Sequence, residues 1–302
     1  MANSSMTVTI GVCTPYIGGF YLGELISALL TAARQRGARL LVMRTGNFGK
    51  TDTVFGGQQV DGWVVIVRSL SQTGMIRLAS TGKPVSCIGV DPGIPGVQPI
   101  LSGNHAGVSA AMQNLHALGR KRFAFVGFLK EFDIGQRWEA YRDFVIGHAL
   151  ESHEEWVADT GSYEILGGYT AADELLKHSP VMPDAILCGN DQNANGVITR
   201  LREAGIRVPE DIAVVGYDDS SLARTTEPPM ASVSQDSLGM AKQAIDALLE
   251  DRIPHDQVPA PLIVPARYVP RRSAGEDVES EPEQESWVST AEFLNSLSLG
   301  DE

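Results

Sequence analysis

The sequence predicts an α/β fold of two doubly wound, parallel-sheet lobes joined by a multi-crossover hinge. Three observations carry this. Short β-branched runs alternate with longer segments of helical periodicity, the signature of βαβ units. The short runs are nearly continuous in apolar character, as strands covered by helices on both faces must be. The alternation also comes in two blocks, on either side of about residue 103, in a chain of 302 residues that suits one large domain or two lobes.

Taken in order, the first block predicts strands at 8–13, 39–43, 62–67 and 85–88, with helices at 21–35 and 72–80. Between residues 44 and 60 the rhythm calls for a full helix. The stretch is instead interrupted by glycine at three places, which predicts a loop with at most one helical turn. The second block predicts strands at 122–126, 185–188 and 212–217, and helices at 105–118, 136–149, 169–176 and 194–203. In the first of these helices Ala110, Leu115 and Leu118 repeat at helical spacing and Gly119 supplies the stop. A last helix at 237–249 precedes two strand-like runs, 262–264 and 267–269. The chain thus divides into an N-terminal lobe (7–102 plus 237–264) and a C-terminal lobe (103–236 plus 265–272). Residues 1–6 are expected to be disordered, as is most of 273–302, which is acidic and poor in apolar residues up to about Glu285. Within it, residues 287–299 are mildly amphipathic, enough to dock or to begin a further helix.

Charge and composition exclude several function classes. The net charge is −13, of which −9 lies in residues 273–302 and −4 in the rest. Neutralising nucleic-acid phosphates takes clustered Lys and Arg, and the sequence has no such cluster. No apolar run reaches the roughly 18–20 residues that span a bilayer, so no membrane partner is expected. The first residues lack the basic start and long apolar stretch of a signal peptide, which predicts a cytoplasmic chain. Cys13, Cys87 and Cys188 are three in number and widely spaced, so they read as buried reduced thiols rather than a disulfide framework or metal site. The six histidines (His105, His116, His148, His153, His178 and His255) are scattered. Neither a Gly-x-Ser-x-Gly elbow nor a His-Glu-x-x-His pair is present, and no cofactor or enzymatic activity is expected. Asp218 and Asp219 could form an acid–base pair only if both faced one side, and adjacent strand residues point to opposite faces.

The second half becomes specific. Gly189-Asn190-Asp191-Gln192-Asn193-Ala194-Asn195-Gly196 leads through Arg202-Glu203-Ala204-Gly205-Ile206-Arg207-Val208-Pro209 to Gly216-Tyr217-Asp218-Asp219, and on through Pro228-Pro229 to Ser234-Gln235-Asp236. Asn104-His105-Ala106-Gly107, Leu118-Gly119-Arg120-Lys121-Arg122 and Val60-Asp61-Gly62 agree with it. This string resembles the effector-binding core of LacI/GalR-family repressors, over roughly residues 7 to 272 and weakest at 44–60. The resemblance implies the periplasmic-binding-protein-like fold of type I. It implies a sensor that closes on a small polar ligand (a sugar, sugar phosphate, nucleoside or purine), and a homodimer. Repressors of this family begin with a helix-turn-helix and a hinge helix, whereas the first core strand here starts within ten residues of Met1. The expectation is that this chain alone does not bind nucleic acid directly, and is the sensory part of a larger signalling protein or a standalone subunit. The alternative is a solute receptor for a transporter. The short 44–60 segment puts the family's usual dimer contact in doubt.

The resemblance also implies where the ligand would sit. Open α/β sheets bind ligands beyond the carboxyl ends of their strands. Asp218 follows such a strand and is expected to accept ligand hydroxyls, with Asp219 the better candidate for a turn or cap. Asn190 offers an amide, or else caps the helix that follows it; Asp191 reads as structural. Arg137 matches a ligand-binding arginine of the family, ahead of the regular part of its helix. Gln235 matches a glutamine at a lobe crossover, serving binding or hinge geometry. In the first lobe Phe20 and Tyr21 match an aromatic pair near the ligand, though aromatics at a helix start are often plain core. Arg68 and Ser69 follow a strand and are candidates to face the cleft.

Overall fold

The structure, a computed structural model, describes residues 7–276 except 47, 53, 55, 251, 252 and 255. The disorder expected of residues 1–6, the disorder expected of the tail from residue 277 onward, and the amphipathic run 287–299 fall outside the described residues.

Two six-stranded sheets form. The first takes β1 (Thr9–Thr14), β2 (Arg39–Arg44), β3 (Gly62–Ile66), β4 (Val85–Ile88), β5 (Val97–Ser102) and β11 (Leu262–Val264) in the order β11-β5-β4-β3-β1-β2. The second takes β6 (Phe123–Gly127), β7 (Val157–Asp159), β8 (Ala185–Cys188), β9 (Ala213–Asp218), β10 (Ala231–Ser234) and β12 (Arg267–Val269) in the order β12-β10-β9-β8-β6-β7. The two orders are the same pattern used twice. Every pairing is parallel except β10 with β12.

Each sheet is covered on both faces, which is why its strands read as unbroken apolar runs. In the first, Val64 and Ile66 point to the side of α1 (Phe20–Gln35) and α8 (Ser237–Leu249), while Trp63 and Val65 point to the side of α2 (Gln72–Ala79). The Trp63 ring lies across Gly11 of the neighbouring strand, where a Cβ would sit 2.3 Å from it. In the second, Phe123, Phe125 and Leu187 face α3 (Asn104–Ala117) and α4 (Phe132–Gly147). Ala124, Val126 and Ile186 face α5 (Ile165–His178) and α6 (Asp191–Glu203).

Three crossovers join the lobes: β5 to α3, β10 to α8, and β11 to β12. They are packed tightly. A Cβ on Gly103 would lie 3.2 Å from the Ala266 backbone nitrogen, and Ser102 Oγ bonds the Tyr217 hydroxyl at 2.8 Å. Asp236 takes a left-handed backbone (φ 50°) at the second crossover and caps α8, accepting from Gly239 N at 3.0 Å.

Several expectations are corrected. Strands β5, β7 and β10 are additions: β5 contains Gln98 and Pro99, and β7 has only three residues. Helix α4 starts at Phe132 rather than 136, so Arg137 lies inside its second turn. Helix α5 starts at Ile165 rather than 169, because Gly167 and Gly168 serve close packing instead of breaking the helix. A Cβ on Gly168 would lie 2.0 Å from the Asn193 carbonyl oxygen of α6. A five-residue helix, α7 (Ser221–Thr225), was not expected. The body also runs past Ser273. Ser273 and Ala274 are buried, and Ser273 Oγ donates to Val214 O at 2.6 Å and accepts from Ala231 N at 2.8 Å. No helix forms among the described residues of 44–60, and Leu41 on the adjoining edge strand is left 38% exposed.

All three cysteines are buried and unbridged; burial pushes the Cys13 and Cys87 thiols up to about 12 and raises Cys188 as well. Among the described residues no helix is long and apolar enough to cross a membrane, and no group of three or more His, Cys, Asp or Glu could hold a metal ion.

Candidate functional site

A cavity of about 1070 Å³ lies between the lobes, lined by residues just beyond the carboxyl ends of strands in both sheets. This follows from parallel winding, which leaves strand ends and helix starts of both sheets facing one space.

Arg137 forms the floor. It is 1% exposed, and its position in the second turn of α4 aims it across the ends of β8 and β9. Its Nε donates to Asn104 Oδ1 (2.9 Å) and its Nη1 to the Gly189 carbonyl (2.6 Å). The guanidinium stacks on the Tyr217 ring at 3.6 Å. Asp133, one helical turn earlier, pairs with Nη2 at 3.1 Å, and Asp218 lies 4.0 Å from Nη1. Burial opposes the arginine's charge, but Asp133, Tyr217 and Asp218 outweigh that and raise its pKa. Nη2 is fully buried and, although close to Asp133, is not aligned with any hydrogen-bond acceptor.

Asp218 ends β9 with φ 120°, a backbone that a residue with a side chain rarely adopts and that is over-represented at functional sites. Its carboxylate accepts from Gln235 Nε2 at 2.5 Å. Burial, reinforced by the nearby Asp191 carboxylate, raises it well above the usual carboxylate range. Gln235 is 2% exposed and does not line the cavity; it acts on the site through Asp218. Asn190 does line it, yet its amide is engaged as a cap: Oδ1 accepts from Asn193 N (2.7 Å) and Nδ2 donates to Tyr163 O (3.0 Å). Asp191 lies behind the site and holds Ser220 and Ser232, and Asp219 pairs with Arg271 at 2.6 Å.

From the first lobe, Gly19 (φ 93°) turns the chain into α1 and puts Phe20 and Tyr21 into the cavity wall. Burial, with Asp218 and Asp133 facing it, pushes the Tyr21 hydroxyl up. Arg68 also lines the cavity and crosses to Glu131 of the second lobe at 3.2 Å. Burial raises the Glu131 carboxyl despite this partner. Ser69 does not face the cleft: it is buried and donates to Cys13 O. A second contact between the lobes has Glu24 accepting from the Ser221 backbone nitrogen at 2.8 Å.

The structure therefore brings Phe20, Tyr21, Arg68, Arg137, Asn190 and Asp218 to one cavity, with Gln235 behind it. It adds residues outside the sequence-based set. Asp133 was detectable as the i−4 partner of Arg137 once the helix start is right. Tyr16, Phe48, Phe128 and Tyr163 have no sequence signal; they meet only in three dimensions, as a run of rings with centroids 5.9, 5.5 and 5.5 Å apart. Chemically, the floor offers carboxylates, a guanidinium and amides for hydroxyls, and the outer wall offers aromatic faces. No nucleophile–base pair is among these groups.

The family described as the periplasmic binding protein-like domain matches residues 112–274. The HTH-type transcriptional regulator CelR of Thermobifida fusca is 32% identical over 269 residues, covering 86% of this chain and 76% of the relative. The HTH-type transcriptional repressor PurR of Haemophilus influenzae is 28% identical over 256 residues, covering 82% and 75%. Among solved structures, a transcriptional regulator CelR–cellobiose complex superposes with a TM-score of 0.72 at 25% identity, covering 88% of this chain and 84% of that one.

Proposed function

The chain belongs to the periplasmic-binding-protein-like family, as an effector-binding core of the LacI/GalR type, and from that premise we propose that it is a sensor whose lobes close on a sugar-like or nucleoside-like effector. The observation that carries this is the cavity floor, where the buried Arg137 guanidinium is flanked by the carboxylates of Asp133 and Asp218. A polyhydroxylated ligand needs donors and acceptors of this kind around it, because each buried polar group left unpartnered costs roughly 1–3 kcal/mol. The named relatives are regulators rather than enzymes. A receptor for a transporter finds no support among them. Sensing for transcription places the chain in the cytoplasm, as the sensory part of a larger signalling protein or beside a partner that carries the output.

Ligand binding shifts the population toward the state the ligand prefers, here the state in which Arg68–Glu131 and Glu24–Ser221 bridge the lobes. Thermal unfolding against ribose, sucrose, cellobiose, glucose 6-phosphate, adenosine and guanine tests the reading. A ligand at one hundred times its dissociation constant should add about 2.7 kcal/mol of stability. A flat response across all six would refute it.

The same family carries a homodimer as the expected assembly. Light scattering should give twice the chain mass at micromolar concentration; a monomer across that range would reject it.

A further inference from the structure

We propose that the acidic segment 277–285 lies extended along an arginine-lined groove at the foot of the second lobe, on the side away from the cavity. The proposal does not depend on which effector the cavity holds.

The groove has a volume of about 370 Å³, and Arg202, Arg207, Arg272, Glu210 and Glu227 supply its charged lining. Its parts come from the C-terminal end of α6, from the loops that lead into β9 and β10, and from the short turn of helix after β12. The carboxyl ends of β8 and β9 face the cavity, so groove and cavity lie at opposite ends of the second sheet. The cations of the groove are unequally satisfied. Arg207 pairs with Asp211 through bonds of 2.9 and 2.6 Å. Arg202 gives one bond, from Nη1 to the Glu227 carbonyl at 2.9 Å, and pairs with no carboxylate among the described residues. Arg272 is exposed, and its side chain bonds nothing among the described residues. At the rim Arg120 adds a further cation, its Nη2 donating to the Pro209 carbonyl at 2.6 Å. A guanidinium carries five donors, so Arg202 and Arg272 keep most of theirs for a partner. Glu210 and Glu227 repel an acidic segment, which confines the contact to these two arginines and Arg120.

The chain itself supplies the ligand. Gly275 runs beside the groove: a Cβ on it would lie 4.0 Å from Pro209 Cβ, and its N donates to Arg272 O at 2.9 Å. Glu276 is then anchored by Asn114 Nδ2 at 3.1 Å and by the Tyr268 hydroxyl at 2.8 Å. The segment that follows thus starts from a fixed point next to the groove, and nine extended residues reach up to about 30 Å. Its sequence is Asp277-Val278-Glu279-Ser280-Glu281-Pro282-Glu283-Gln284-Glu285, with an acid at every second place. In an extended chain alternate residues share one face, so the five carboxylates stand in one row about 6.6 Å apart. A helix would scatter them around its axis. Pro282 has no N–H to leave unpaired and biases Glu281 toward an extended backbone. Exposed ion pairs are individually weak, so the tether decides. A short link holds a segment at about 1 mM around its own groove, enough to fill about nine-tenths of sites when the dissociation constant is about 0.1 mM.

Fluorescence anisotropy with a labelled peptide of residues 277–285 tests this on full-length proteins at low salt. The receptors are the wild type and a tail-neutral chain carrying Asp277→Asn, Glu279→Gln, Glu281→Gln, Glu283→Gln and Glu285→Gln. Two more add Arg272→Gln or Arg202→Gln to the tail-neutral chain. The tail-neutral chain should bind the peptide, and the wild type should bind it about tenfold weaker because its own tail competes. Each arginine substitution should weaken binding about fivefold or more. Arg272→Gln removes no side-chain bond from the folded body, so its effect is not one of folding. Raising the salt to about 0.5 M should abolish binding. A peptide of the same composition with its five acids adjacent should bind about fivefold weaker. Four results overturn the proposal: no binding to the tail-neutral chain, equal binding to it and to the wild type, binding unchanged by Arg272→Gln, or equal binding of the regrouped peptide. Equal binding to the two chains would assign the groove to an acidic segment of another molecule.

Discussion

Arg137→Ala should lower the stability of the chain by about 3–5 kcal/mol and abolish any ligand-induced stabilisation. The magnitude follows from what the side chain leaves behind. Removing one partner of a buried ion pair strands an uncompensated charge, which typically costs about that much. Here two carboxylates, Asp133 and Asp218, lose their shared cation, and Asn104 Oδ1 and the Gly189 carbonyl lose their donors. The Tyr217 face loses its stacked guanidinium as well. Asn104 begins α3 just after the first crossover, and Tyr217 bonds Ser102 on the other side of it. The same residue thus ties the cavity floor to the hinge. Arg137→Lys should recover part of the stability but little of the binding, because an ammonium is a point charge and cannot reproduce the planar fork. Urea unfolding of the two variants, with and without the ligand found by thermal shift, checks this. A loss below about 1 kcal/mol with binding intact would mean the arginine is a spectator.

The parts of this molecule that the sequence discloses are those governed by local chemistry. Buried parallel strands announce themselves as apolar runs, and Asn190 and Asp218 were legible as cleft candidates because one lies two residues past such a run and the other at the end of one. Where a segment depends on its neighbours, the local signal misleads. Pro99 argues against a strand, yet β5 pairs on both sides, with β4 and β11. Gly167-Gly168 looks like a break, yet the second glycine is what lets α5 lie against α6. Starting α4 at 136 instead of Phe132 left out Asp133, whose pairing with Arg137 needs a helix to bring residues four apart together. The aromatic wall was invisible for a stronger reason. Phe48 and Tyr163 belong to different lobes, and only the packing of the two sheets makes them neighbours.

Against the usual behaviour of acid-sensitive proteins, this chain should be more stable at pH 5 than at pH 8. The cause is Asp191, 1% exposed at the start of α6. Burial pushes its carboxyl up, and three hydrogen bonds from the Ser220 backbone, Ser220 Oγ and Ser232 Oγ pull it part of the way back, leaving it at about 7. In the unfolded chain an aspartate titrates near 3.9. Between those values the folded state binds more protons than the unfolded state, so stability falls as pH rises, by up to about 1.4 kcal/mol per pH unit. The contribution is fully present below about pH 4 and is lost as pH rises through about 7. Asp218, also raised by burial and by Asp191, acts in the same direction. Asp211, held down at about 2 by Arg207, acts oppositely, but its contribution is lost only as pH falls toward 2. Asp191→Asn should cost about 1–3 kcal/mol at pH 5, since an amide cannot accept all three hydrogen bonds, and should flatten the decline between pH 5 and 8. Urea unfolding of both chains at the two pH values decides it. A wild type more stable at pH 8 would mean that the three hydrogen bonds outweigh burial and keep Asp191 ionised throughout.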